Sequence, residues 1–184
     1  MANDNKSAHI TFTLKKAKCP SVSLNGSPIP QTAVVKYLGM HLDQRLTWAP
    51  HIINKRKQLG LRLRSMYWLL TKSSKLPLNN KILIYKAILK PIWTYGIQIW
   101  GSAADSNIAI FERFQTKTLR LIANAPWYIT NRQIYKDLQV PTVQEEIARH
   151  ISNDCNPFAE NITCTYGTSR RLLRHHPLDL PTRF

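Results

Sequence analysis

Residues 35–70, VKYLGMHLDQRLTWAPHIINKRKQLGLRLRSMYWLL, change period in the middle, and that change constrains the fold more than any other feature of the chain. As far as Leu42 the stretch sets β-branched and aromatic residues around Gly39, the pattern of a strand. From Pro50 it reads as a helix with two unlike faces. At about 100° per residue, Ile52, Leu59, Leu63, Met66 and Leu70 fall on one stripe, the spacing of a side turned toward a core. Lys57, Leu61, Arg64, Trp68 and Lys72 fall on the opposite side. Basic residues interleaved with Leu and Trp suit a surface that meets phosphates and sugar edges. A solvated basic face, with Trp68 packed on a neighbouring helix, accounts for the same residues equally well.

The charge balance bears on that choice. The chain has 26 Lys and Arg against 10 Asp and Glu, a net charge of +16, while 43% of its 184 residues are hydrophobic. Such a chain can build a core, unlike a disordered basic tail. A folded chain so basic points to a polyanionic partner, with nucleic acid first. A membrane partner is not expected. It would call for a Lys-rich amphipathic helix, a lipidation signal or about 18 uninterrupted apolar residues, and none is evident. The start, MANDNKSAHI, has no apolar core of a signal peptide. Cys19, Cys155 and Cys164 are too few and too scattered for a disulfide framework, so a reducing, intracellular setting (cytoplasm or nucleus) is expected.

Taken in order, residues 9–14 alternate apolar and polar, a strand signal. Residues 22–29 contain Asn25-Gly26, the usual pair for a tight hairpin turn, and Pro28 and Pro30 restrict the return strand to an edge. Residues 34–42 read as the next strand. Thr47-Trp48-Ala49-Pro50 opens the first helix, which should end near residues 72–74. Pro77 opens a second helix to Trp100, apolar around nearly its whole circumference, buried on most sides and kinked at Pro91. Tyr85, Trp93, Tyr95 and Trp100 are expected in the core. Gly101 stops that helix, and Asp105 or Ser106 caps a third to Ala123. Its residues Ile108, Phe111, Phe114, Leu121 and Ile122 face inward, while Arg113, Lys117 and Arg120 form a second, outward basic stripe. A short helix over 131–138 and another from Pro141, with Glu145 and Glu146 in its first turn, follow. Beyond residue 153 the period dissolves into a basic, Pro-bearing tail.

Catalytic signatures are sparse. Cys155, Cys164, His175 and His176 read C-x8-C-x10-H-H, which does not match zinc spacings. No nucleophile sits in a recognisable elbow, and no Gly-rich phosphate loop is present. Two-metal phosphoryl transfer needs converging carboxylates, but the acidic residues are dispersed. Glu145 and Glu146 point about 100° apart on a helix, and Asp43 alone is placed beside the β element. The chain is therefore not expected to catalyse by itself.

The strings KYLGMHLDQRLTWAPHI, KRKQLGLRLR and YKAILKPIWTYGIQIWG closely resemble the end of the reverse transcriptases of non-LTR, jockey-like retrotransposons, over residues 5–147. That resemblance implies several roles. Asn5-Lys6-Ser7 looks like the lysine-bearing motif at the end of the palm, with Lys6 matching the lysine that assists the leaving pyrophosphate. Tyr37-Leu38-Gly39 looks like the element that grips the primer terminus. Residues 50–123 would be the thumb and the segment beyond it, holding the template–primer duplex. The family's catalytic aspartates, which hold Mg²⁺ in the full-length enzyme, would lie upstream, so this chain needs no cofactor of its own.

The expected fold is α+β and mainly α: a palm-like β hairpin or meander over residues 1–46, a helical thumb-like bundle over 47–152, and a poorly ordered basic tail over 153–184. The expected function is binding of an RNA–DNA hybrid or other nucleic acid, as a C-terminal fragment that lacks the catalytic aspartates. The other polymerase domains are possible partners. Lys57, Arg64 and Lys72 would meet the backbone with Trp68 on the sugars, and Arg113, Lys117 and Arg120 would form a weaker second set. The alternatives are a helical protein-interaction module presenting Trp48 and Trp127, or an inert truncated product.

Overall fold

A computed structural model describes residues 7–13 and 20–154; the rest of the chain, including Lys6, Cys155, Cys164, His175, His176 and most of the expected tail, lies outside the described residues. Two short antiparallel hairpins precede a helical body, as an α+β, mainly α chain should. The chain divides into two units, residues 1–147 and 148–184, and of the second only the end of the last helix is described.

The first hairpin pairs β1 (Ser23–Leu24) with β2 (Ser27–Pro28). Asn25 and Gly26 sit at φ 50° and 80°, the left-handed pair that a two-residue turn requires. The expected strand over 9–14 does not form in its described part. His9 makes one parallel bridge to Gln31, donating to the Pro30 carbonyl at 3.2 Å. Pro28 and Pro30 have no N–H to extend a ladder there.

Residues 34–42 are not one strand but two. β3 (Val34–Tyr37) folds back on β4 (Met40–Asp43), with Lys36 opposite His41 and Tyr37 opposite Met40. Leu38 and Gly39 turn at φ 46° and 77°. Leucine in the left-handed region is unfavourable by roughly 1–2 kcal/mol, so the turn needs outside support. The Tyr95 hydroxyl supplies it, donating to the Leu38 carbonyl at 2.7 Å. A Cβ on Gly39 would stand 3.5 Å from the same ring.

Asp43 then organises the passage from strand to helix. Its carboxylate accepts from the Thr47 and Trp48 N–H groups, each at 3.0 Å, and from the Thr47 hydroxyl at 2.9 Å. Helix α1 (Ala49–Ser65) follows, and Ile52 and Leu59 are fully buried as their stripe demands. At Met66 the helix breaks (φ −107°), and α2 (Tyr67–Leu70) is a separate turn ending earlier than residues 72–74. The carbonyl of Thr71 accepts from the buried Lys81 ammonium at 2.7 Å.

The expected second helix is three helical pieces and a widened turn. α3 (Leu78–Ile84) leads into a π-helical turn (Tyr85–Leu89), then α4 (Lys90–Thr94) and α5 (Ile97–Trp100). Pro91 lacks the N–H for an ordinary helical bond, and its ring crowds the carbonyl four residues back. The wide turn before it, closed by the Lys90 N–H on the Tyr85 carbonyl, lets the helix pass with the proline in the first turn of α4. A second break comes at Gly96 (φ 66°), where a Cβ would meet Met40 Sδ at 2.7 Å. Nor is this segment buried all round: Leu83, Ile88, Tyr95 and Ile99 are exposed.

Helix α6 (Asp105–Ala123) is the centre of the body. Ile108, Phe111, Phe114, Leu119 and Ile122 are buried, while Leu121 is only partly so. Phe111 packs edge-on to Trp100 at 5.0 Å and lies 6.2 Å from Trp93. α7 (Asn131–Leu138) has the expected bounds, capped by Thr130 on the Gln133 N–H. α8 (Val143–Asp154) opens on a reciprocal cap between Thr142 and Glu145. Glu146 is buried and paired with Lys90 at 2.7 Å.

Candidate nucleic-acid interface

Lys72 of the first basic stripe meets Lys117 and Arg120 of the second in one place. A groove between the end of α2 and the end of α6 is lined by Tyr67, Lys72, Lys117, Arg120 and Asn124, among others. Lys72 comes from one expected set and Lys117 from the other. No Asp or Glu among the described residues lines this groove, and its charged lining residues are all cationic. Tyr67 adds a half-exposed ring to the wall. Tyr67 is not among the expected site residues, and its place next to Trp68 is the one signal the sequence offers for it.

Arg120 belongs to the lining but is only partly open to solvent. Its guanidinium donates to the carbonyls of Ile129 (2.8 Å), Pro126 (2.7 Å) and Trp127 (3.3 Å) and to Asn131 Oδ1 (2.9 Å). It is a clamp on the α6–α7 loop, with few donors left for a ligand. Arg113 is exposed and bonds back to the Ala109 carbonyl of its own helix at 3.2 Å. Lys57 and Arg64 are exposed along α1, and Trp68 is 68% exposed on α2 rather than packed on a neighbour. The break at Met66 separates Lys57 and Arg64 from Trp68 and Lys72, and none of Lys57, Arg64, Trp68 or Arg113 lines the groove. Trp48 is not a surface residue: at 5% exposure it packs edge-on against His51.

Tyr37, Leu38 and Gly39 form the exposed tip of the β3–β4 hairpin, with Leu38 70% exposed. Beside it the bonds and contacts link several basic groups. The Lys55 ammonium lies over the Tyr95 ring at 5.1 Å, and His51 Nδ1 accepts from the His41 N–H at 3.3 Å. Burial pushes His51 down to about 4, with Lys55 and His41 adding to the effect. Burial also lowers His41, aided by Lys36 and Lys55, and lowers Lys55, aided by Lys36. Burial is the larger cause at each, and the neighbouring basic groups disfavour protonation further. Asp43, on the same strand, is engaged with Thr47 and Trp48. Burial alone would raise its pKa, but the hydrogen bonds outweigh that and hold the carboxyl below its ordinary range.

Among the described residues no three His, Cys, Asp or Glu side chains come together as a metal site. The described residues thus offer no set of carboxylates that fits the Mg²⁺ implied by the resemblance for the full-length family. No described helix is long and apolar enough to cross a membrane.

The molecule is thus a small α+β chain whose helical body carries a cationic groove and whose hairpin tip stands among basic groups. Its sequence is 41% identical over 187 residues to the probable RNA-directed DNA polymerase from transposon X-element of Drosophila melanogaster, covering 98% of this chain and 21% of that protein. It is 39% identical to the RNA-directed DNA polymerase from mobile element jockey of the same fly, over 97% of this chain and 21% of the relative. The jockey polymerase of Drosophila funebris is 37% identical with the same reach, 98% and 21%. The chain belongs to the jockey-like retrotransposon RNA-directed DNA polymerases, and spans about one fifth of the length of the curated relatives it matches. No family model matches it, and no solved structure does.

Proposed function

We propose that this region of the polymerase holds a template–primer duplex, an RNA–DNA hybrid above all, by sequence-tolerant contacts to phosphates. One observation carries the reading: two lysines 45 residues apart in sequence, Lys72 and Lys117, line one groove with no described acidic neighbour in its wall. Phosphate recognition needs that convergence of cations and nothing base-specific. Lys57 and Arg64 extend the basic track along α1, and Trp68 offers a flat face for sugars. The Tyr37-Leu38-Gly39 tip, with Lys36, His41 and Lys55 beside it, is the second contact point, suited to a primer strand. Nucleotide addition itself would rest on carboxylates outside this chain.

The test is a salt series on a blunt RNA–DNA hybrid with the full chain. Each lost phosphate contact lowers the log–log slope by just under about 1. Lys72→Ala with Lys117→Ala should therefore reduce the slope by nearly 2, while Lys117→Arg keeps it. A slope that stays at the wild-type value would remove the groove from the reading.

A further inference from the structure

We propose that Trp127 and Tyr128 form a stacking platform for an unpaired nucleobase, on a single strand leaving the duplex held in the adjacent groove. This rests on the duplex reading above and adds a second kind of ligand to it. Trp127 is 90% exposed, the most open large apolar side chain among the described residues, and Tyr128 beside it is 65% exposed. Their rings meet edge to face, 84° apart with centroids 6.0 Å apart, so each limits the other's rotation.

The loop that carries them is held firmly. Arg120 bonds the carbonyls of Pro126, Trp127 and Ile129, the Ile129 N–H returns to the Pro126 carbonyl at 3.2 Å, and the Ala125 N–H to that of Arg120 at 3.0 Å. A ring held out on a fixed loop loses little freedom when a flat ligand covers it. The same Arg120 lines the groove, as does Ala125, two residues before Trp127. The clamp therefore ties the aromatic pair to the edge of the cationic channel.

Basic groove and exposed aromatic rings together are what single strands use: lysines track the phosphates and rings take the bases. A base inside a continuous duplex has no free face, so the platform can engage only an unpaired one. A protein partner is the less suited occupant, since the groove that shares Arg120 with this loop carries Lys72 and Lys117 and no described Asp or Glu, a lining that favours a polyanion.

The experiment compares three labelled ligands on the full chain at fixed salt: a blunt RNA–DNA hybrid, the hybrid with a three-nucleotide single-stranded extension, and the hybrid with an abasic extension of equal charge. The wild type should bind the base-bearing extension roughly tenfold more tightly than the abasic one, the order that a stacked base contributes. Trp127→Ala should erase that ratio, Trp127→Phe should retain most of it, and circular dichroism should stay unchanged. In a Trp68→Phe background the base-bearing extension should also quench the remaining exposed tryptophan. A ratio that survives in Trp127→Ala overturns the proposal. So does a wild type that binds the blunt hybrid yet treats both extensions alike, which would leave the platform to a protein partner. A wild type that binds none of the three ligands removes the duplex reading along with it.

Discussion

The β3–β4 hairpin and helix α6 are held in opposite ways. α6 is surrounded: Phe111, Phe114, Leu119 and Ile122 are buried, and the aromatic contacts among Trp93, Trp100 and Phe111 fill the space beside it. The hairpin is tethered at points: Tyr95 on the Leu38 carbonyl, Met40 against Gly96, Asp43 on the first turn of α1. Its tip stays open. Packing spreads stability over many contacts and tolerates no exposure. Tethering concentrates it in a few bonds and leaves polar and apolar groups free to meet a ligand. The two basic features follow this division, with the groove set on the helical body and the exposed Tyr37-Leu38-Gly39 tip on the tethered hairpin.

The largest effect should come from the packed side. Phe111→Ala removes a ring that touches both Trp93 and Trp100 and should reduce unfolding free energy by about 3–5 kcal/mol, read as a drop in urea midpoint at unchanged slope. A loss below about 1 kcal/mol would mean that α6 is not the centre of the core.

The junction between the two regions should respond to pH. His51 is fully buried and neutral, with its proton affinity pushed down to about 4, whereas in the unfolded chain it titrates near about 6.5. Below the unfolded value the unfolded state binds more protons, so stability is complete above that pH. It is lost as pH falls from about 6.5 toward about 4, by up to about 3 kcal/mol. Lowered His41 acts in the same direction, and lowered Asp43 adds a further loss only below the ordinary carboxylate range. A urea midpoint that is flat between pH 7 and 4.5, or a drop that is undiminished in His51→Asn, would contradict this.

The smallest effect tests the tether. Tyr95→Phe deletes one exposed hydrogen bond and should cost about 0.5–1.5 kcal/mol while protecting amides of β3 and β4 less well from exchange. If exchange in the hairpin is unchanged, Met40 and Asp43 suffice to hold it.

Local chemistry was readable wherever a residue type has one strong use. Asn25-Gly26 marked its turn, the apolar periods of α1 and α6 marked their buried sides, and α7 took the bounds that its pattern indicated. Where the reading failed, a distant residue was deciding. Leu38 is a poor turn residue, and the Tyr95 hydroxyl, 57 residues on, supports its left-handed backbone. Pro91 marked a disturbance of its helix, and the widened turn at 85–89 is the form that this takes. Arg120 looked like one more cation on a stripe until its four acceptors on the α6–α7 loop came into view.

By itself the sequence determined the class of the fold, the basic character of the surface and, through long strings of matching residues, the polymerase lineage. These depend on composition and on periods of two to seven residues, which a linear chain displays directly. Tertiary structure decided which cations stand together: Lys72 with Lys117 in one groove, Arg120 withdrawn into a clamp, Trp48 buried and Trp127 left open. The physical reason is that a side chain's partner is set by the approach of separate elements, and that approach is fixed by packing across the whole core rather than by any neighbour in sequence.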